Sequence, residues 1–175
     1  RQVQNLTVEG AQVGTETVPV RTAGGVIAGT NANVGVLQNC NVSGSVTGGA
    51  SVGGLAGVNN GKIIGCKSGV FPAPGTANAV QYTYKNTYFY TEKVLRNQKP
   101  VEIEKELPCV LSSGQAREKG AAVGGVTGTN AGTVSQCINI SQIENHSENG
   151  RAGGLVGLNA GGVLKESYNA GPVSY

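Results

Sequence analysis

Val52-Gly53-Gly54-Leu55-Ala56-Gly57-Val58-Asn59 is one of four copies of a short phrase, and its recurrence decides the fold. The others are Ala23-Gly24-Gly25-Val26-Ile27-Ala28-Gly29-Thr30-Asn31, Val123-Gly124-Gly125-Val126-Thr127-Gly128-Thr129-Asn130 and Ala152-Gly153-Gly154-Leu155-Val156-Gly157-Leu158-Asn159. Counted from their second glycines, Gly25, Gly54, Gly125 and Gly154, the first pair and the last pair are each 29 positions apart. The middle gap is 71, so an insertion of about 40 residues interrupts a regular array. The domain divides accordingly: coils over residues 1–70, an insertion over 71–121, and coils again over 122–175.

A second phrase follows each copy. It includes Asn39-Cys40-Asn41-Val42, Gly65-Cys66-Lys67-Ser68, Gln136-Cys137-Ile138-Asn139 and Glu166-Ser167-Tyr168-Asn169, and Asn5-Leu6-Thr7-Val8 fits the same slot. One such unit is too short, and too poor in large side chains, to bury a face alone. Stacked coil on coil, every strand pairs with a neighbour about 4.8 Å away and the core becomes continuous. Alternation such as Cys40-Asn41-Val42 turns side chains in and out by turns. Glycine pairs suit corners that need positive φ or close backbone approach. Asn31, Asn59, Asn130 and Asn159 suit turns, and at one repeated slot they would also stack as an amide ladder. The expected fold is all-β: a parallel β-solenoid of four to five coils, right-handed as parallel crossovers prefer.

Composition agrees. Glycine supplies 29 of 175 residues, and there is neither Trp nor Met. The apolar residues are mostly Val, Ala, Ile and Leu, which build a thin core between closely stacked strands. Charged residues make up 13%, against roughly 25% in an ordinary soluble protein. Net charge is +3 with scattered basic residues, so there is no electrostatic footprint for nucleic acid. No apolar run is long enough to span a membrane. Arg1 reads as a processing boundary, with the solenoid continuing in a parent polypeptide.

The phrases resemble the GLUG-motif family, named for its Gly-Leu-any-Gly core. Gly54-Leu55-Ala56-Gly57 and Gly154-Leu155-Val156-Gly157 match it directly, and Gly125-Val126-Thr127-Gly128 matches with Val for Leu. The first copy is looser, with one more residue between its glycines. Asn39-Cys40-Asn41-Val42-Ser43-Gly44 looks like the family's continuation. The resemblance covers roughly 1–70 and 120–175 and leaves the insertion out. It implies a bacterial surface or secreted protein, one region of a larger adhesin-like or surface-protease polypeptide, with neighbouring domains as partners and no catalytic residues in the repeats.

The insertion differs in character. Gln81–Tyr90 holds five of the chain's eight aromatics and alternates well enough for a strand or hairpin. Tyr82, Tyr84, Tyr88 and Tyr90 share one face of a regular strand, which serves a ligand platform or, more commonly, a hydrophobic lid. A short helix is expected around Glu92–Asn97 and an edge strand around Val101–Glu106, where Glu102, Glu104 and Glu106 discourage aggregation. Loops inserted in solenoids often carry binding, so recognition of a host glycan or protein is expected here.

Cys40, Cys66 and Cys137 fall in the slot also held by Leu6 and Ser167, which reads as an inward ladder of small soft hydrophobes. A disulfide between Cys66 and Cys109, which bracket the insertion, would staple its base; sequence does not fix that pairing. No metal or cofactor is expected: there is no CxxC pair, and the single histidine is His146. The chain has no Asp, which removes a Ser-His-Asp triad and the calcium nonapeptide repeat. No glycine phrase is followed by the Lys and helix a phosphate loop needs. Four Asn-x-Ser/Thr sequons, at Asn5, Asn41, Asn139 and Asn145, read as chance in so Asn-rich a chain. The leading expectation is therefore a noncatalytic cell-surface adhesin-like or scaffolding domain. The alternative is a noncatalytic accessory region of a secreted glycan-active enzyme or surface protease. A glycan-cleaving β-helix enzyme comes third, since it needs carboxylates converging in a groove.

Overall fold

The computed structural model describes residues 1–15, 17–69, 87–96, 99–108, 110–112 and 120–174, with the backbone alone described between 87 and 112. Every regular element among them is a strand, and the strands stack as a parallel β-solenoid of about four turns. Four parallel sheets run along the stack. A five-stranded sheet joins Gln2–Gln4, Val36–Gln38, Lys62–Ile64, Thr133–Ser135 and Val163–Lys165. One four-stranded sheet joins Ala23–Gly24, Ser51–Gly53, Ala122–Gly124 and Arg151–Gly153. The other joins Ala28–Asn31, Ala56–Asn59, Thr127–Asn130 and Val156–Asn159. An eight-stranded sheet carries the Cys-slot phrases, from Thr7–Val13 and Asn41–Thr47 to Tyr168–Asn169 and Val173–Ser174. Its Thr7–Val13 strand is bulged between Val8 and Ala11, where Ser43 Oγ accepts from Gly10 N–H at 3.2 Å.

Register revises the alignment of the first copy. Asn31 pairs with Asn59, which is 28 residues on, while Asn130 and Asn159 are 29 apart. Gly24 pairs with Val52, so Gly25 stands level with Gly53 and Val26 takes the place of Gly54. The glycine pairs answer to close approach alone, for none has φ in the left-handed region. A Cβ at Gly25, Gly53, Gly124 or Gly153 would lie 2.6, 2.2, 2.2 or 2.0 Å from the carbonyl oxygen three residues on, at the corner between the two four-stranded sheets. At Gly54, Gly125 and Gly154 it would strike Ser68, Asn139 and Asn169, which project from the opposite wall. Both glycines are thus fixed by neighbours, for different reasons.

The core is a double column. Leu37, Cys40, Val42, Leu55, Ala56, Ile63, Cys66, Val126, Val134 and Cys137 form one; Val46, Val52, Val123 and Ile143 form the other. Small branched residues suffice because each is covered from above and below by its counterpart in the next coil, so burial comes from the stack and scales with its length.

The insertion leaves and re-enters within one strand slot. Ser68 pairs with Asn139, and Val110 pairs with Gln142. Two residues bridge that interval in the third coil, Ile140 and Ser141, whereas the second coil spends residues 69–109 on it. Val110–Ser112, inside the stretch read as insertion, already belongs to the eight-stranded sheet, and Ala121 and Ala122 are buried. Between these points, Thr87–Arg96 and Lys99–Pro108 form an antiparallel ribbon paired over ten positions. It approaches Thr7–Val13 and Asn41–Thr47, on the side of the earlier coils. The helix expected at Glu92–Asn97 is not found: Glu92–Arg96 is strand, because pairing of Glu92 with Ile103 and Val94 with Val101 outweighs local helix preference. Gln2–Gln4, Thr7–Val13 and Val173–Ser174 are rungs of the ladders themselves.

Candidate functional site

Two hydrogen-bonded ladders organise the interior. In the first, Asn31 Nδ2 donates to Asn59 Oδ1 at 2.8 Å, Asn59 to Asn130 at 2.9 Å, and Asn130 to Asn159 at 2.9 Å. The same amides donate to the carbonyls of Lys62, Thr133 and Val163 in the next coil, at 3.2, 3.2 and 3.4 Å. Asn59 and Asn130 are fully buried, so these bonds satisfy groups that water cannot reach. Turn chemistry does not explain these asparagines, since their φ values are ordinary. A shorter second ladder links Asn139 Nδ2 to Asn169 Oδ1 at 2.8 Å, and Ser68 and Ser141 share a hydroxyl bond at 3.2 Å beside it.

The cysteine slot has a reason that composition concealed. The residue before it is left-handed in every coil: Asn5 at φ 54°, Asn39 at 52°, Gly65 at 63°, Gln136 at 54° and Glu166 at 51°. That turn carries the following N–H out of the sheet's carbonyl ladder, and it needs another acceptor. Cys40 N–H donates to Cys66 Sγ at 3.4 Å, and Cys137 N–H to Ser167 Oγ at 3.0 Å. The backbones of Leu6 and Cys66 engage the Cys40 and Cys137 thiols in the same way. Each thiol then donates to the carbonyl two residues before it, Gln38, Ile64 or Ser135, at 3.3, 3.4 and 3.1 Å. All three are free and fully buried. Cys66, turned into the core as a free thiol, is not part of the alternative Cys66–Cys109 staple; Cys109 lies outside the described residues. The adjacent Cys137 thiol, and then burial, pushes the Cys66 pKa up; burial does the same for Cys40.

The remaining candidates are dispersed. Tyr82 and Tyr84 lie outside the described residues, while Tyr88 and Tyr90 stand on the ribbon opposite Leu107 and Lys105. His146 is exposed and 3.3 Å from Glu144. Glu166 accepts from Gln136 at 3.2 Å in the third and fourth coils, far along the stack from Glu9 in the first strands. Among the described residues no three His, Cys or acidic side chains converge as a metal site. The sequons at Asn139 and Asn145 are closed to modification, since both side chains are buried and bonded, Asn145 to the carbonyls of Ala121 and Arg151 at 2.9 Å each.

The chain matches no model of a known protein family, no curated protein and no solved structure. Sequence reasoning missed the left-handed corner. Its signal was present: Asn5, Asn39 and Gly65, three of the five residues before the cysteine slot, are types that tolerate that conformation.

Proposed function

We propose that this chain is a noncatalytic adhesin-like or scaffolding domain of a bacterial cell-surface protein of GLUG type, with recognition of a glycan or protein carried by the insertion. The observation that carries the reading is the way the insertion is mounted. It departs after Ser68 and returns at Val110 in register, so a ribbon of two ten-residue strands is mounted on the stacked coils beside Thr7–Val13 and Asn41–Thr47. Binding segments placed on rigid frames follow this plan. The aromatic concentration in Gln81–Tyr90 supplies flat, amphipathic surface of the kind that sugars and partner proteins bind.

The test is a glycan-array and cell-binding screen of three proteins. They are the intact chain, its Tyr88→Ala/Tyr90→Ala variant, and a variant lacking residues 70–108. The deletion joins Gly69 to Cys109 and leaves two bridging residues, as Ile140 and Ser141 do in the third coil. Binding by the intact chain that both variants lose, with the β spectrum of the coils retained, supports recognition through the insertion. Binding that survives the deletion moves it to the coils. No binding by the intact chain favours a spacer.

A further inference from the structure

Pairing sorts the charged residues of the ribbon by face. Residues level with each other across an antiparallel ribbon stand on one face, and neighbours along a strand stand on opposite faces. The face that holds Tyr88 and Tyr90 therefore also holds Arg96, Lys99 and Lys105, with a single acid, Glu92. The opposite face holds Glu102, Glu104 and Glu106, with a single base, Lys93. Charges that cancel along the two strands are thus parted into a basic face with both tyrosines and an acidic face. The coils give the first of these nothing to cover. The strands that the ribbon approaches, Thr7–Val13 and Asn41–Thr47, turn Val8, Val13, Val42 and Val46 into the core. Their alternate positions carry Glu9, Gln12, Asn41, Ser45 and Thr47. A hydrophobic lid has no apolar side chain among these to close over, and one acid does not offset three bases.

We propose that the tyrosine-bearing face of the ribbon binds a linear acidic polysaccharide, one whose successive sugars carry carboxylate or sulfate groups. This rests on the reading of the insertion as the recognition element and names its ligand class. Tyr90 is level with Lys105, which sets a flat aromatic residue beside a cation. The C–H face of a sugar lies on the one, and its carboxylate or sulfate is taken by the other. Arg96 and Lys99 are level with each other six positions further along the ribbon, about 20 Å from that pair. A single acidic sugar does not reach both, whereas a chain with charge on successive sugars does. A neutral glycan would leave the sorted charge without a use, and an acidic peptide would have no need of the paired tyrosines.

The probes are polygalacturonate and dextran sulfate, set against neutral dextran, poly-glutamate and oligothymidylate. Each is titrated into the intact chain and into Lys105→Glu, Lys99→Glu and Lys93→Glu variants, with the urea midpoint as the check on folding. The three substitutions change net charge equally, and of the three only Lys93 stands on the acidic face. At least one acidic polysaccharide should bind the intact chain about tenfold or more tightly than the other three probes do, and should weaken as salt is raised. Lys105→Glu and Lys99→Glu should each cost about tenfold in affinity, and Lys93→Glu less than about threefold. Any of three results overturns the proposal. They are no binding of either acidic polysaccharide, equal losses in all three variants, or poly-glutamate or oligothymidylate bound as tightly. The chain lacking residues 70–108 separates this failure from failure of the reading beneath it. Acidic polysaccharide that still binds the deletion sinks both, whereas a neutral glycan or a protein bound only when the insertion is present sinks this proposal alone.

Discussion

Each coil turns two kinds of corner, and they are built on opposite logic. Between the two four-stranded sheets the chain turns at Gly53–Gly54, where the corner works because nothing is there: a carbonyl occupies the place of one Cβ and Ser68 the other. Between the five- and eight-stranded sheets it turns at Gly65 or its counterparts, where the corner works because something is: a thiol or hydroxyl from the next coil takes up a diverted N–H. The first corner holds glycine in every coil at its first position, Gly25, Gly53, Gly124 or Gly153, while its second position carries Val26 in the first coil. The second corner accepts Asn, Gly, Gln or Glu at the turn and Leu, Cys or Ser after it, provided the next coil brings an acceptor. Excluded volume therefore writes a loud sequence signal and hydrogen-bond demand a quiet one.

The sharpest way to break this contrast is to add a methyl to the first corner. Gly53→Ala would set a Cβ 2.2 Å from Ala56 O and 2.5 Å from Thr127 Cα, both backbone, so two coils must separate. We expect a loss of about 3 kcal/mol or more in urea unfolding, at or beyond the upper end of ordinary overpacking. Gly161→Ala meets no atom within 4 Å and must only hold φ 86°. It should cost about 1 kcal/mol. Equal losses would mean that backbone freedom, and not crowding, fixes the phrase glycines.

Next comes the amide ladder that separates the corners. Asn59→Ala leaves Asn31 Nδ2 and Thr133 O short of a buried partner, for a loss of about 2–3 kcal/mol. Asn159→Ala removes an exposed rung and should cost below about 1 kcal/mol. If the two variants unfold alike, the ladder is not a buried network and its regularity is only a by-product of the repeat.

These contrasts also explain what could be read from the chain. The solenoid was legible because Gly-Gly and Asn recur at fixed spacing, and the spacing is imposed by the steric corner. The first copy was misaligned because Val26 stands where the later copies have Gly54; only the pairing of Asn31 with Asn59 corrects it. The role of Cys40, Cys66 and Cys137 stayed hidden behind a hydrophobic reading that was true but incomplete, since burial alone does not reveal which N–H a thiol receives. In the insertion, Glu92–Arg96 looked helical in isolation, and only partners eleven positions or fewer away along the ribbon made it strand. The candidate site was less legible than the fold for the same reason: a repeated constraint is written several times, whereas a binding surface is written once.

The acceptor corner can be tested by changing one atom. Cys66→Ala removes the acceptor of Cys40 N–H and should cost about 1–3 kcal/mol. Cys66→Ser keeps an acceptor and should recover about half of that loss. The wild-type thiol adds a pH signature. Its folded pKa is raised, so the fold retains a proton that the unfolded thiol, with a pKa near 8.5, gives up. The thiol's contribution to stability is whole below about pH 8.5 and erodes as pH rises above it. The Ser variant should lose the part of that dependence that Cys66 supplies and keep the part that the buried Cys40 thiol supplies, and native Cys40, Cys66 and Cys137 should resist thiol reagents until the chain unfolds.

The smallest effect concerns the left-handed turn itself. Gln136 holds φ 54° without the permissive geometry of Gly65 or the local hydrogen bonding that eases Asn39 into the same region. Gln136→Gly relieves that strain, gives up an exposed bond to Glu166, and adds freedom to the unfolded chain. The balance should be a gain of about 0.5 kcal/mol, read as a small rise in the urea midpoint with an unchanged slope. Asn39→Gly, where little strain exists to relieve, should be neutral or slightly destabilising. If Gln136→Gly destabilises by more than Asn39→Gly, the turn is paid for by side-chain contacts along the column, and the two corners would differ less than their sequences suggest.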